Sequence, residues 1–288
     1  MFVFLALPLG LAIGAISGFF GVGGGFLLTP ILLLLGYEPS TAITISLLYS
    51  MSTSISGAVK HYQQKHILWK PVIILSISGM LSTQIAKPLV LFLESIGYDE
   101  IVISLLYVGL LSYFALSMLT EKQSTQESSQ LYSISPVRAI LIGLAGGFIS
   151  SVLGVGGGFV MVPLLISVLG LPPRLAVGTS LASIFIIVST GFFSYIGSVS
   201  IPFTLACILV IGAIIGSRIG AGITEFVSNH VIQKLLGTLY IFTLVSVILE
   251  LFHLPIAGLS ILAIYITPLI IFFSYQYRTK KKRLFSSE

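Results

Sequence analysis

Residues 21–26 read GVGGGF and residues 154–159 read GVGGGF again, so that Gly21, Gly23, Gly24 and Gly25 are matched by Gly154, Gly156, Gly157 and Gly158. A short apolar run follows each cluster, FLLTPILLLL at 26–35 and FVMVPLLISVL at 159–169. The chemistry open to such a stretch is that of the backbone. A helix beginning after the glycines presents unpaired N–H groups and about half a positive charge at its N-terminus. Glycine leaves those groups uncovered and permits left-handed turns. Together these features describe an anion site made of backbone. The competing explanation is close helix packing, which small residues provide throughout membrane proteins. Nucleotide motifs do not fit: no GK[ST] completes a phosphate loop, and no strand with an acidic ribose contact accompanies the glycines.

The elements that must position these tips are set by composition. Of 288 residues, 56% are hydrophobic and 8% charged, with a mean hydropathy of +1.10. Soluble domains carry about 25% charged residues, and a soluble body this apolar would expose aggregating patches. The sequence is that of an integral membrane protein. A net charge of +5 does not indicate nucleic acid, because the basic residues sit in loops and in the tail KKKR (280–283), as flanking charges of membrane spans do. The single cysteine, Cys207, excludes an internal disulfide. The apolar start has no positive n-region, and its second half recurs internally, so it is expected to belong to the mature fold.

GLAIGAISGFFGVGGGF (10–26) aligns without gaps with GLAGGFISSVLGVGGGF (143–159), an offset of 133. Pro30 matches Pro163. After one inserted residue Gly36 matches Gly170, Ser46-Leu47 match Ser180-Leu181, and Gly57 matches Gly191. Such self-similarity marks a duplicated transporter fold. A first repeat is expected over 1–120, a polar cytoplasmic linker over 121–136, a second repeat over 137–250, and an extra span with a basic tail over 251–288. Spanning takes about 20 apolar residues, and the expected spans are 41–59, 71–93, 101–119, 175–195, 203–224, 234–250 and 255–277. The glycine segments 2–36 and 137–170 differ: the piece after each cluster is only about 15 Å long at 1.5 Å per residue and cannot cross alone.

Lys60, Lys65, Lys70, Lys122, Arg138 and the tail place 60–70, the linker and the C-terminus in the cytoplasm. Loop 94–100 carries Glu94, Asp99 and Glu100 without lysine or arginine and suits the outside. Counting back from the tail puts 225–233 and 171–174 inside, with Arg174 and Lys234 in agreement. Each glycine segment then enters and returns, from opposite faces. The expected fold is all-α and polytopic: two inverted repeats, each a glycine-tipped broken-helix hairpin followed by three spans, plus one C-terminal helix.

Polar residues inside the spans are further candidates. Ser46 and Ser180 hold equivalent repeat positions, with Thr179 beside the latter; such hydroxyls can donate to an oxyanion, or bond a preceding carbonyl or neighbouring helix instead. Arg218 and Lys87 lie in apolar spans, where a central charge costs about 2.5–3.5 kcal/mol; they either draw an anion into a vestibule or snorkel to the interface. Gln84 lies near Lys87. His61, His66, His230 and His253 fall at span ends, without metal-ligand company. No catalytic constellation is present, and no cofactor or metal is expected.

The duplicated glycine motif, the TSL at 179–181 and GAIIGSRIG at 212–220 resemble the sulfite exporter TauE/SafE family of membrane permeases, from about residue 8 to residue 250. The resemblance implies an inner-membrane carrier of sulfite, sulfoacetate or other organosulfonates. The first half departs from the pattern, with TIS at 44–46 and GMLSTQIAK at 79–87, which leaves open whether both halves contact substrate equally. The expected function is a secondary carrier working by alternating access. Moving one charge across 100 mV is worth about 2.3 kcal/mol, so anion export from a negative interior is downhill, whereas import needs a proton or sodium ion. The expected partners are a small anion and the lipid bilayer. An anion channel, or a carrier for another small oxyanion or a carboxylate, remains open.

Overall fold

The computed structural model describes residues 2–120, 135–197, 199, 201–252 and 254–285. Residues 121–134 of the expected linker and His253 lie outside them. The described residues form eleven helices and no strand: α1 Phe2–Phe20, α2 Gly25–Leu34, α3 Pro39–Gln63, α4 Trp69–Ser95, α5 Asp99–Thr120, α6 Pro136–Leu153, α7 Gly158–Ser167, α8 Pro173–Tyr195, α9 Phe203–Thr224, α10 Asn229–Leu251 and α11 Pro255–Phe285. Pro39, Pro136 and Pro173 open α3, α6 and α8, where a missing N–H is no loss. Eight of the helices are long and apolar enough to cross a membrane, and α6 is one of them. Helices α2 and α7 have 10 residues each, half a span. The seven expected spans coincide with α3, α4, α5, α8, α9, α10 and α11, with ends shifted by a few residues.

The halves pack by exchange. Helix α1 runs along α9, and α6 along α4; α3 meets α9, and α8 meets α4. The short helices follow suit, α2 on α3 and α7 on α8, while α3 meets α8 and α5 meets α10. Swapping the two repeats maps each of these contacts onto another or onto itself. Helix α11 falls outside this scheme and lies against α10, α2 and α9.

The α1–α9 seam is built of small residues. A β-carbon on Gly14 would lie 2.8 Å from the Ala213 carbonyl oxygen, and one on Gly212 would lie 2.7 Å from the Leu11 nitrogen. On Gly220 it would collide with the Ala15 carbonyl oxygen. Close backbone approach of this kind replaces the hydrophobic drive that lipid removes. Gly220→Ala should therefore lower stability by about 1–3 kcal/mol, the usual range for overpacking against unyielding atoms. Gly109→Ala, in α5 with open space around it, should be neutral or stabilise by about 0.5–1 kcal/mol. Thermal unfolding in detergent reads both, and a Gly220→Ala protein as stable as the parent would dismiss the seam.

Candidate functional site

The two glycine clusters meet each other in the interior. A β-carbon on Gly23 would stand 3.2 Å from the Val155 carbonyl oxygen, one on Gly25 would strike the Gly154 carbonyl oxygen, and one on Gly158 would strike that of Gly21. Every glycine in both clusters is buried. Gly21 and Gly23 take positive φ, as do their counterparts Gly154 and Gly156, which a side chain would oppose. One pair breaks the likeness: Gly24 is right-handed at φ −67°, whereas Gly157 is left-handed at φ 73°.

Helix starts leave N–H groups without intrahelical partners, and the two tips treat them differently. In the first tip, Gly24 N–H donates to Thr53 Oγ1 at 3.2 Å and Gly25 N–H to Ser50 Oγ at 2.7 Å. In the second tip, the N–H groups of Gly156, Gly157, Gly158 and Phe159 meet no acceptor among the described residues. The reason is in the sequence. Ser50 and Thr53 of α3 correspond to Ile184 and Ile187 of α8, so the second half has no hydroxyls to offer. Beside the bare donors lies Ser150, whose β-carbon is 3.2 Å from where one on Gly157 would be. Its hydroxyl is buried without a partner, as are those of Ser17, its repeat counterpart, and of Ser46, Ser54 and Ser151.

Side chains also cross between halves. Ser180 Oγ donates to the Gly21 carbonyl at 3.1 Å, and Thr29 Oγ1 to that of Gly154 at 3.4 Å. Beneath the tips Phe26 stacks on Phe159, centroids 5.5 Å apart. Tyr107 stacks on Phe159 and Tyr240 meets Phe26 edge-on, the same pairing seen from each half. Their hydroxyls hold tip backbone: Tyr107 donates to Leu153 O at 3.2 Å and Tyr240 to Phe159 O at 2.9 Å.

Of the residues singled out from sequence, the eight glycines, Ser46 and Ser180 lie in this fully buried assembly. Thr179 is also buried, but its hydroxyl accepts from Leu68 N–H at 3.1 Å and so fastens the α3–α4 loop. Arg218 and Gln84 are exposed, and the side chain of Lys87 lies outside the described residues. Sequence reading passed over Tyr107 and Tyr240, although they stand 133 residues apart, as do Phe26 and Phe159. It also set His61 aside as interfacial. In the structure His61 is fully buried and faces His66, because α3 continues past residue 59 to Gln63.

The comparisons with known proteins agree with this architecture. The family model described as Sulfite exporter TauE/SafE matches residues 6–247. The probable membrane transporter protein YjnA of Bacillus subtilis is 30% identical over 238 residues, 80% of this chain and 94% of that protein. A probable membrane transporter protein of Methanocaldococcus jannaschii is 30% identical over 266 residues, 83% of this chain and 96% of its own. No solved structure matches. The chain is a multi-pass membrane transporter and belongs to the sulfite exporter TauE/SafE family.

Proposed function

We propose that this transporter carries a small sulfur-containing anion, sulfite or an organosulfonate, held where the two glycine tips meet. The observation that carries the reading is the row of unpartnered N–H groups from Gly156 to Phe159 beside the unpartnered hydroxyl of Ser150. Donors this deep in an apolar interior cost several kcal/mol each if nothing accepts from them, and an oxyanion supplies acceptors and a charge that suits a helix start. In the first tip Ser50 and Thr53 already stand where oxyanion oxygens would. The second tip is therefore the main anchor, and the halves contact the substrate unequally.

Alternating access between inverted halves is the mechanism this architecture favours. It is supported by the exchange of packing partners between repeats and by basic residues in and beside loops 60–70, 171–174 and 225–233, which suit the cytoplasmic side. Those loops do meet: Gln64 Nε2 approaches Glu225 Oε2 at 3.4 Å, and Arg174 Nη2 donates to Val227 O at 2.7 Å. On this reading the protein lies in the cell membrane with its tail inside, and the anion leaves the cell down the membrane potential.

A thermal-shift panel on the purified protein tests the substrate class. Sulfite, thiosulfate, sulfoacetate, taurine and an aryl sulfonate are compared with sulfate, chloride and acetate. A ligand at a hundred times its Kd stabilises by about 2.7 kcal/mol, and the sulfur anions should do so selectively. Ser150→Ala, which removes no hydrogen bond, should leave unliganded stability unchanged and weaken sulfite binding about tenfold, since a bond to a charged group is worth about 1.5–3 kcal/mol. A flat panel on folded protein would discard the tip site, and acetate as the best ligand would move the substrate to carboxylates.

The first tip makes an opposite prediction. Ser50→Ala strips the acceptor from Gly25 N–H and should destabilise the unliganded protein by about 1–3 kcal/mol. Equal thermal stability in Ser50→Ala and the parent would show that water or another group replaces the hydroxyl.

A further inference from the structure

Helix α3 carries a polar stripe on one face, Ser46, Ser50, Thr53, Ser54 and His61, all buried. It runs from the first tip to the end of the helix at the face where the basic loops gather. In α8 the corresponding positions are Ser180, Ile184, Ile187, Val188 and Tyr195, so the stripe belongs to the first half alone.

At its end two histidines meet. His61 Nε2 lies 3.1 Å from the Gly18 carbonyl oxygen, and His61 Nδ1 lies 3.3 Å from His66 Nδ1. These contacts fix the protons. A carbonyl only accepts, so His61 Nε2 carries hydrogen, and neutral His61 then has a bare Nδ1 that accepts from His66 Nδ1–H. Gly18 lies in the last turn of α1, and its carbonyl has no partner within that helix. The repeat supplies a control. At the equivalent place Tyr195 donates to the Ser151 carbonyl at 3.1 Å, and Ser151 corresponds to Gly18. A tyrosine therefore suffices to tie off this carbonyl, and the histidine adds a second ring nitrogen that can meet a neighbouring proton donor.

We propose that His61 and His66 form a proton-binding pair through which this transporter couples its cycle to protons. A proton from the cytoplasmic side adds to His66 Nε2 and makes this half-buried ring an imidazolium, whose Nδ1–H still donates to His61 Nδ1. His61 stays neutral, and its Nε2–H still holds the Gly18 carbonyl. The charged donor strengthens the bond to His61, which holds the C-terminal end of α1, and α1 leads straight into the first tip. Proton binding thus tightens the grip on the element that positions the glycines. The proposal needs only that the chain is a transporter; it does not rest on which anion the tips hold.

Three charged groups act on the pair. Lys60 lies on α3 itself, Arg174 on α8 and Glu225 just past α9, with Gln64 bridging to Glu225. Burial holds His66 below its ordinary value of 6.5, Arg174 adds to this, and Glu225 opposes it. The folded state therefore prefers the neutral ring. Stability from this group is complete above about pH 6.5 and is lost as the pH falls below it. Among the described residues no third metal-ligating side chain joins the pair.

Two measurements decide the matter. Ring ¹⁵N spectra of histidine-labelled protein in micelles, from about pH 8 to about pH 4, should show His61 as the Nε2–H tautomer and His66 as the Nδ1–H tautomer. Both rings should respond at one midpoint, that of His66, and His61→Gln, which keeps both hydrogen bonds but binds no proton, should shift that midpoint. Independent titration, or the opposite tautomers, would overturn the pair. In proteoliposomes, an imposed pH gradient should change labelled sulfite flux at least about fivefold in the parent, the lower end of ordinary coupling. The ratio should fall to about one in His61→Gln. A variant that keeps the parent's ratio would overturn the coupling. Absence of sulfite flux from both proteins under all conditions would instead remove sulfite as the substrate, with the spectra still deciding the pair.

Discussion

The structure depends on one constraint: a helix broken inside an apolar interior must have its free backbone groups met by something. Each half breaks once over a few residues, the first after α1 and the second after α6, and neither half satisfies all the groups of its break alone. Each tip leans on the other half: Ser180 reaches the Gly21 carbonyl and Thr29 that of Gly154. The glycines are required because the two backbones occupy the space that β-carbons would fill. Everything else in the packing, from the α1–α9 seam to the Phe26–Phe159 stack, brings these two weak points into register.

Backbone likeness and side-chain difference have separate causes. The tips share left-handed positions at Gly21 and Gly154 and at Gly23 and Gly156, because the same geometric problem is solved twice. The helices behind them are not bound by that problem. Helix α3 offers hydroxyls and a histidine where α8 offers isoleucines and a tyrosine. The first tip is consequently tied to its own half, and the second is left with open donors.

Much of this was legible in the sequence. Membrane class, the span positions, the half-length helices after the glycines and the family all follow from hydropathy and one repeated motif. The glycine contacts were legible as spacing, since four glycines in five residues at matched sites call for a close approach, whether of a ligand or of another backbone. What sequence hid was partnership. Nothing in residues 50 and 53 says that their hydroxyls cap Gly25 and Gly24 rather than their own helix, because both bonds satisfy a serine or threonine equally well. Thr179 shows the converse, a hydroxyl in the motif that serves a distant loop. His61 was hidden by a boundary: read as ending at 59, the span leaves it in a loop, whereas α3 reaches Gln63 and buries it against Gly18. Arg218 and Gln84 attracted attention by being polar within apolar runs, but they occupy the outward faces of helices whose small residues face in.

A carrier has to release what it binds. Two fully bare tips facing one anion would offer it donors from both helix starts, in surroundings that strengthen each bond. An anion so held would leave slowly. Capping the first tip with Ser50 and Thr53 removes half of that attraction while keeping the geometry, and the hydroxyls hold the first tip's shape when no anion is present. The second tip has no such support, so its donors are satisfied only by what arrives. On the proposed reading, asymmetry between nearly identical halves places affinity on one side and structural integrity on the other. It also gives the first half, already anchored, the freedom to host a titratable contact at the end of α1 that would be disruptive beside the open site.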